Sequence, residues 1–469
     1  MRLPPDDASS QPPASSFRPI APSSQPAFPE IDSGGSQVCR RILAVYLACY
    51  YLAYTQWVQF IWLAVALLVT AGKIDWKGMA RRAIRDPFIQ TACGFLGWMT
   101  LRSLLTGSEG RHPWFQEAGP WLAGALGLVA FAAVAWQAAS RLRALEAVGA
   151  FVGGAALLAA ITSIILFYFV LPHHGLGERL SDWFVFGGLN PVCTGLIFGF
   201  AVMWVICLKS RCQGDMGVVA LTIGQILLLL AVLFTRSRGA LLALVAGHAA
   251  LLVGLGWRQL WREALILIAV CAAFQLSGPL LADLAWRQEQ ARLPPSQRTQ
   301  SEASPQTSGN ELMREMVDRA DSGRFEIYRA GLDTLPHVKD WLFGVGQWNT
   351  DHLWLSRLEM TKFPPEHLHS AYLATLVHGG LIGLALVLAL IFQGLKRAFN
   401  LARRGEFTWW VLLIYGCTGL LFDGQTFTRL NSVPLYEPLL VAFPLVVAAS
   451  SWTRQNRSAA GLLLGRTLL

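Results

Sequence analysis

Residues 216–256 read MGVVALTIGQILLLLAVLFTRSRGALLALVAGHAALLVGLG. Two apolar blocks, 216–234 and 240–256, flank the short polar turn TRSRG at 235–239. Each block comes close to the about twenty residues that a helix needs to cross a hydrocarbon core about 30 Å thick. Such a pair around a turn predicts a membrane hairpin, and the rest of the chain repeats the pattern. Further apolar blocks fall at 42–54, 56–71, 87–105, 119–137, 146–170, 191–208, 263–282, 369–394, 408–426 and 434–451. The expected fold is an all-α polytopic membrane protein with about twelve transmembrane helices. Composition agrees: 54% of residues are hydrophobic and 14% charged, against roughly 25% charged in an ordinary soluble domain.

The formal net charge of +9 would suggest nucleic acid in a soluble protein, but here the basic residues sit in short loops between apolar blocks. With the N-terminus in the cytoplasm, Arg40 and Arg41, Lys73 to Arg85, Arg141 and Arg143, Lys209 and Arg211, Arg258 and Arg262, Lys396 to Arg404, and Arg454 and Arg457 all fall on one side. That is the positive-inside pattern, and it puts both termini in the cytoplasm of a multi-pass inner-membrane protein with no nucleic-acid partner. The chain then divides into a disordered cytoplasmic tail (1–37), helices one to nine (38–282), a large periplasmic loop with amphipathic helices (283–368), the last three helices (369–451) and a cytoplasmic tail (452–469). The tail 1–37 is rich in Pro and Ser and lacks the basic-then-apolar order of a signal peptide. Of eight Cys, six lie in apolar blocks and none forms a CxxC pair, so small buried thiols are expected and no metal or redox centre.

The charged residues on the opposite side break the pattern. Arg236 and Arg238 end one apolar block and begin the next, and Gly239 and Ala240 behind them allow a backbone or ligand to approach closely. A guanidinium fixed there suits a diphosphate, since its planar fork engages two oxygens. Arg324 and Arg329 lie in a helical-looking part of the long loop, and the sequence alone does not prefer one over the other. Arg179, in the segment 171–190, is placed at the same entrance. His369 stands where the long loop becomes the next apolar block, in EHLHSAYLATLVHGGLIG. Imidazole is the side chain best suited to exchange a proton near neutral pH. His367 lies two residues earlier, on a different face of any helix, and the HxH pair lacks a sequence-evident third metal ligand. Outward Arg residues with one His at a membrane boundary fit an anionic lipid-linked substrate. No P-loop or Ser-His-Asp relay is evident.

Three segments carry a family likeness: TRSRGALLAL at 235–244, SGRFEIYRAGLDTL at 322–335 leading into WLFGVGQW at 341–348, and HSAYLATLVHGGLIGLAL at 369–386. In this order around one large loop they resemble the O-antigen ligase family, within the wider group of O-antigen ligases and polymerases. That resemblance implies a membrane glycosyltransferase fold of the C type and a periplasmic active site with neither metal nor other cofactor. Its partners would be an undecaprenyl-pyrophosphate-linked O-antigen donor, the lipid A–core oligosaccharide acceptor and the membrane lipids. It also implies that Arg238, Arg324 and His369 are catalytic; beside them the residues themselves suggest Arg236, Arg329, Arg179 and His367 as substrate-binding neighbours. Ser370 stands where the family commonly has Asn, which leaves the partner of His369 undefined. Alternatives stay open from the sequence: an O-antigen polymerase, which would use a second lipid-linked repeat as acceptor, a protein O-oligosaccharyltransferase, and a membrane transporter or flippase.

Overall fold

The computed structural model describes residues 34–53, 55–74, 76–106, 114–171, 178–181, 190–292, 324–347, 367–427 and 436–453. Most of the N-terminal tail, residues 293–323 and 348–366 of the long loop, His173 and His174, and the C-terminal tail beyond 453 lie outside them. Among the described residues all regular structure is helical. The helices are α1 (Gly34–Leu52), α2 (Gln56–Thr70), α3 (Trp76–Ala83), α4 (Pro87–Thr106), α5 (Trp114–Ala138), α6 (Ala144–Ile165), α7 (Pro191–Lys209), α8 (Asp215–Phe234), α9 (Arg238–Ala250), α10 (Trp257–Leu276), α11 (Gly278–Arg292), α12 (Arg324–Asp333), α13 (Val338–Phe343), α14 (Ala371–Ala402), α15 (Thr408–Phe422) and α16 (Pro438–Thr453).

The expectation of about twelve spanning helices, and the C-type architecture that went with it, is corrected by these lengths. Among the described residues five helices are long and apolar enough to cross a membrane: Ala144–Val170, Pro191–Lys209, Asp215–Phe234, Trp257–Leu276 and Ala371–Ala402. Five other apolar helices are shorter, Ile61–Thr70, Gly124–Ala138, Arg238–Val253, Thr408–Phe422 and Pro438–Thr453. At 1.5 Å per residue the last three reach only about 22–24 Å, short of a core about 30 Å thick. Apolar content runs on where helix does not. The block expected over 240–256 loosens into a 3-10 turn at Leu251–Val253. The block expected over 408–426 leaves the helix at Asp423, which is extended, and Gly424, whose φ is +141°. In α4, twenty residues long, Gln90, Thr91, Thr100, Arg102 and Ser103 dilute the apolar run.

The centre of the helical assembly is α7, 83% buried along its apolar window and packed on α6, α8, α9 and α15. Its turns define two ends. At one, Lys209 is buried against Glu263 of α10 at 2.8 Å, while Arg211 pairs with Glu146 at 3.0 Å and Glu406 at 2.8 Å. At the same end Arg397 of α14 holds Asp86, which also accepts from Thr453 at 3.1 Å. Basic side chains thus brace the ends of α7, α14 and α16 there. The other end carries the start of α7, the turn between α8 and α9, the start of α14, the end of α15 and the start of α16.

α14 is broken at Gly380, whose φ is +65°. The carbonyls freed by the break are taken up from outside the helix. Val345 N–H donates to Val377 at 2.9 Å, Gly346 N–H to His378 at 3.0 Å, and the Trp98 indole to Gly379 at 2.8 Å. Arg102 of α4 in turn donates to the Gly344 carbonyl from Nε at 2.9 Å and from its NH2 nitrogen at 2.6 Å. A buried cluster of Ile327, Leu368, Ala374 and Val377 seats α12 on the first half of α14.

Candidate active site

The turn TRSRG forms because α8 ends in a C-cap at Thr235 and α9 begins with an N-cap at Ser237. The Ser237 hydroxyl accepts from Ala240 N–H at 3.3 Å, which meets one of the four unsatisfied donors of a new helix. Arg236 between them is left-handed, with φ +49°, so the chain reverses in a few residues. Gly195 of α7 lies against Thr235 and Ser237, where a Cβ would stand 2.7 Å from the Thr235 hydroxyl. Gly239 lies against Phe422, 2.9 Å from an added Cβ, which brings the turn to the end of α15. Arg238 is the first residue of α9 and, like Arg236, is half-buried. Arg179 donates from Nε to the Thr235 carbonyl at 2.9 Å, and Leu180 N–H donates to Phe234 at 3.0 Å, so this segment closes the open end of α8.

The histidines meet an acid that the sequence reading did not single out. Asp423 follows directly on the last residue of α15 and is 1% exposed. Its Oδ1 accepts from His367 Nε2 and from His369 Nδ1, each at 3.1 Å, and from Gly424 N–H at 3.0 Å. The two rings lie 4.1 Å apart, tilted by 49°. His367 does not face away from His369, because residues 367–370 are not helical. His369 itself is left-handed, with φ +50°, and Ser370 after it caps α14 by accepting from Leu373 N–H at 3.4 Å. A residue type enriched at positive φ therefore sits where the chain must turn its ring back toward α15. The only sequence signal for Asp423 is one acid closing an apolar run, in LLFDGQ.

Arg324 is half-buried at the first position of α12, and Tyr328 follows one turn later on the same face. The Tyr328 hydroxyl donates to the His369 carbonyl at 3.4 Å and lies within electrostatic range of both Arg324 and Asp423. Burial raises the Tyr328 hydroxyl pKa, opposed by Arg324 and reinforced by Asp423. Arg329 is exposed. The structure therefore brings His367 and His369 onto Asp423, the Arg238 turn against the adjacent Phe422, and Arg324 within electrostatic range of Tyr328, which reaches the His369 carbonyl.

Glu437, directly before α16, is 2% exposed, and its Oε1 accepts from Gln425 N–H at 2.6 Å and Thr426 N–H at 3.4 Å. Burial pushes its carboxyl up to about 7, held from rising further by those N–H groups and by the charge of His367. For Asp423 burial acts in the same direction, but the hydrogen bonds and charge of the two imidazoles outweigh it and hold the carboxyl below the usual carboxylate range. An ionised carboxylate only accepts, so both contacting ring nitrogens carry hydrogen. In neutral His369 that leaves Nε2 as a base. His367, His369 and Asp423 are also, among the described residues, a group whose ligand atoms lie within 4.8 Å of one another and could hold a metal ion.

Residues 223–388 match the protein family described as O-antigen ligase. The match begins inside α8, takes in the Arg238 turn, α12 and both histidines, and ends inside α14; Asp423 lies beyond it. No curated protein matches the chain. This is a multi-pass membrane protein whose segment 223–388, with both arginine elements and both histidines, belongs to the O-antigen ligase family.

Proposed function

We propose that the protein is an O-antigen ligase, transferring a polysaccharide from undecaprenyl pyrophosphate to a sugar hydroxyl of lipid A–core oligosaccharide on the periplasmic face of the inner membrane. The observation that carries this reading is His369 hydrogen-bonded to buried Asp423 beside the Arg238 turn. Asp423 fixes the ring so that Nε2 receives the acceptor hydroxyl proton. The acceptor oxygen attacks C1 of the donor sugar while the bond from C1 to the pyrophosphate oxygen breaks on the opposite face, which inverts the configuration. Arg238 and Arg324 hold the diphosphate and offset the charge that develops as it leaves. Arg236 borders the same turn. Arg179 acts on it from behind, through the Thr235 carbonyl.

No step of this reading is routed through a metal, because His369 Nε2 takes the proton and the arginines offset the charge on the leaving diphosphate. The sidedness rests on the basic residues gathered at the end of the helices opposite the site. Removal of the gene tests the assignment. Lipid-linked polymer accumulating beside bare lipid A–core is the expected result. Lipid A–core carrying a single repeat would overturn it in favour of a polymerase. In vitro, His369→Ala and Arg238→Ala, present in the membrane at normal levels, are expected to lose at least about 100-fold in transfer rate; wild-type rates would refute the roles given to these residues.

A further inference from the structure

Below the site runs an apolar groove of about 200 Å³ between α4, α5, α14 and α16. Its walls include Phe88, Ala92, Leu128, Ala132, Ile391 and Val446, and apart from Thr426 and Glu437 all its lining residues are apolar. Cys93 and Val129 are both lining and exposed, so the groove opens sideways toward the lipid phase. Thr426 and Glu437 mark the end nearest the site. Thr426 lies in the short segment that begins with Asp423, and Glu437 holds that segment by its backbone N–H groups. The Oε2 of Glu437 is buried without a hydrogen-bond partner.

We infer that this groove holds the first part of the prenyl chain of the lipid diphosphate donor, its Thr426–Glu437 end leading toward the diphosphate held by the arginines. The inference rests on the transferase reading above. Both substrates of that reaction are lipid-linked, and connectivity separates them. The donor carbon that reacts is joined to its lipid by the diphosphate alone, whereas the acceptor hydroxyl is held from its acyl chains by an entire core oligosaccharide. A lipid groove that ends beside the segment of Asp423 is therefore placed for the donor. From Phe88 to Leu96 the α4 wall extends about 12 Å, enough for the start of the chain, with the remainder in the bilayer. The raised pKa of Glu437 lowers the repulsion that a second carboxylate would direct at a diphosphate.

The test uses the full-length protein and undecaprenyl diphosphate with a photoreactive group within its first isoprene units and no sugar, so that labelling needs no turnover. Adducts are expected on α4, α5 or α16, at the same level in His369→Ala, and competed by unlabelled undecaprenyl diphosphate but not by lipid A–core. Adducts confined to other helices, or competition by lipid A–core alone, would overturn the inference. A second measurement fills the groove with Ala132→Phe. It should raise KM at least about tenfold for the natural donor and leave a donor with a short, soluble prenyl chain within about twofold. An equal effect on both donors, or none on either, counts against the groove. If transfer is never observed but the labelling pattern holds, the transferase reading fails and the lipid site stands.

Discussion

Replacing Asp423 by Asn tests the site most directly. The change keeps the size of a side chain that is 1% exposed, but removes the charge facing two imidazoles at 3.1 Å. A hydrogen bond to a charged group contributes about 1.5–3 kcal/mol, so two of them amount to about 3–6 kcal/mol of coupling between this acid and the rings. Part of that supports folding, and the part tied to orienting His369 and stabilising its protonated form appears only in the transition state. With about half expressed there, kcat falls roughly 10- to 150-fold at 1.36 kcal/mol per decade. An amide can also donate to the ring and select the wrong tautomer, which in a related acid–imidazole arrangement is worth up to about 10⁴. Transfer by purified Asp423→Asn should therefore show a kcat lowered at least tenfold with KM for the donor little changed. Added to His369→Ala, the same substitution should lower the rate by less than about threefold, because the acid acts through the ring. Retention of wild-type kcat by a folded Asp423→Asn protein, or full additivity of the two changes, would refute the reasoning.

Further outcomes follow from the same geometry. Arg324→Ala should reduce kcat/KM at least about 30-fold while Arg329→Ala stays within about threefold, since only Arg324 shares a helix face with Tyr328, whose hydroxyl reaches the His369 carbonyl; equal losses in a transfer assay would contradict this. Glu437 has its folded-state pKa raised from 4.5 to about 7, so its stabilising contribution is full below about pH 4.5 and is lost as pH rises through 7. The span corresponds to about 3 kcal/mol, and thermal unfolding in detergent between pH 5.5 and 8 should show a decline in the wild type that Glu437→Gln flattens; an unchanged slope would count against it. Exhaustive chelation should leave transfer within about twofold and metal analysis of the active protein should find less than stoichiometric metal; restoration of lost activity by a divalent ion would instead assign His367, His369 and Asp423 as ligands.

The parts of the site that are legible in the sequence are those that violate a local rule. Arg236 and Arg238 stand out because cations interrupt an apolar run, and His369 because a titratable ring sits at its edge. Asp423 obeys no such rule, since an acid after fifteen helical residues looks like the end of a span. Its meaning comes from a tertiary contact with a histidine more than fifty residues earlier. The place of His367 is hidden because no helical period holds through a stretch that is left-handed at His369 and extended at Ser370. The same limit explains the helix count. Hydropathy reports that 240–256 and 408–426 avoid water, whereas the length of a helix is decided by caps and by residues such as Gly424 that turn out of it.

The break in α14 divides labour within one continuous stretch of chain. Residues before Gly380 carry Ser370 and the histidine turn; residues after it, including Val387 and Ile391, form a wall of the groove. Because the loop at 345–346 and Trp98 hold the joint from outside, the second half is free to be retuned by substitution to a thicker bilayer or a different lipid without re-aiming the first. Chemistry and membrane adaptation can then drift independently along a single helix, a form of modularity that an unbroken rod would deny.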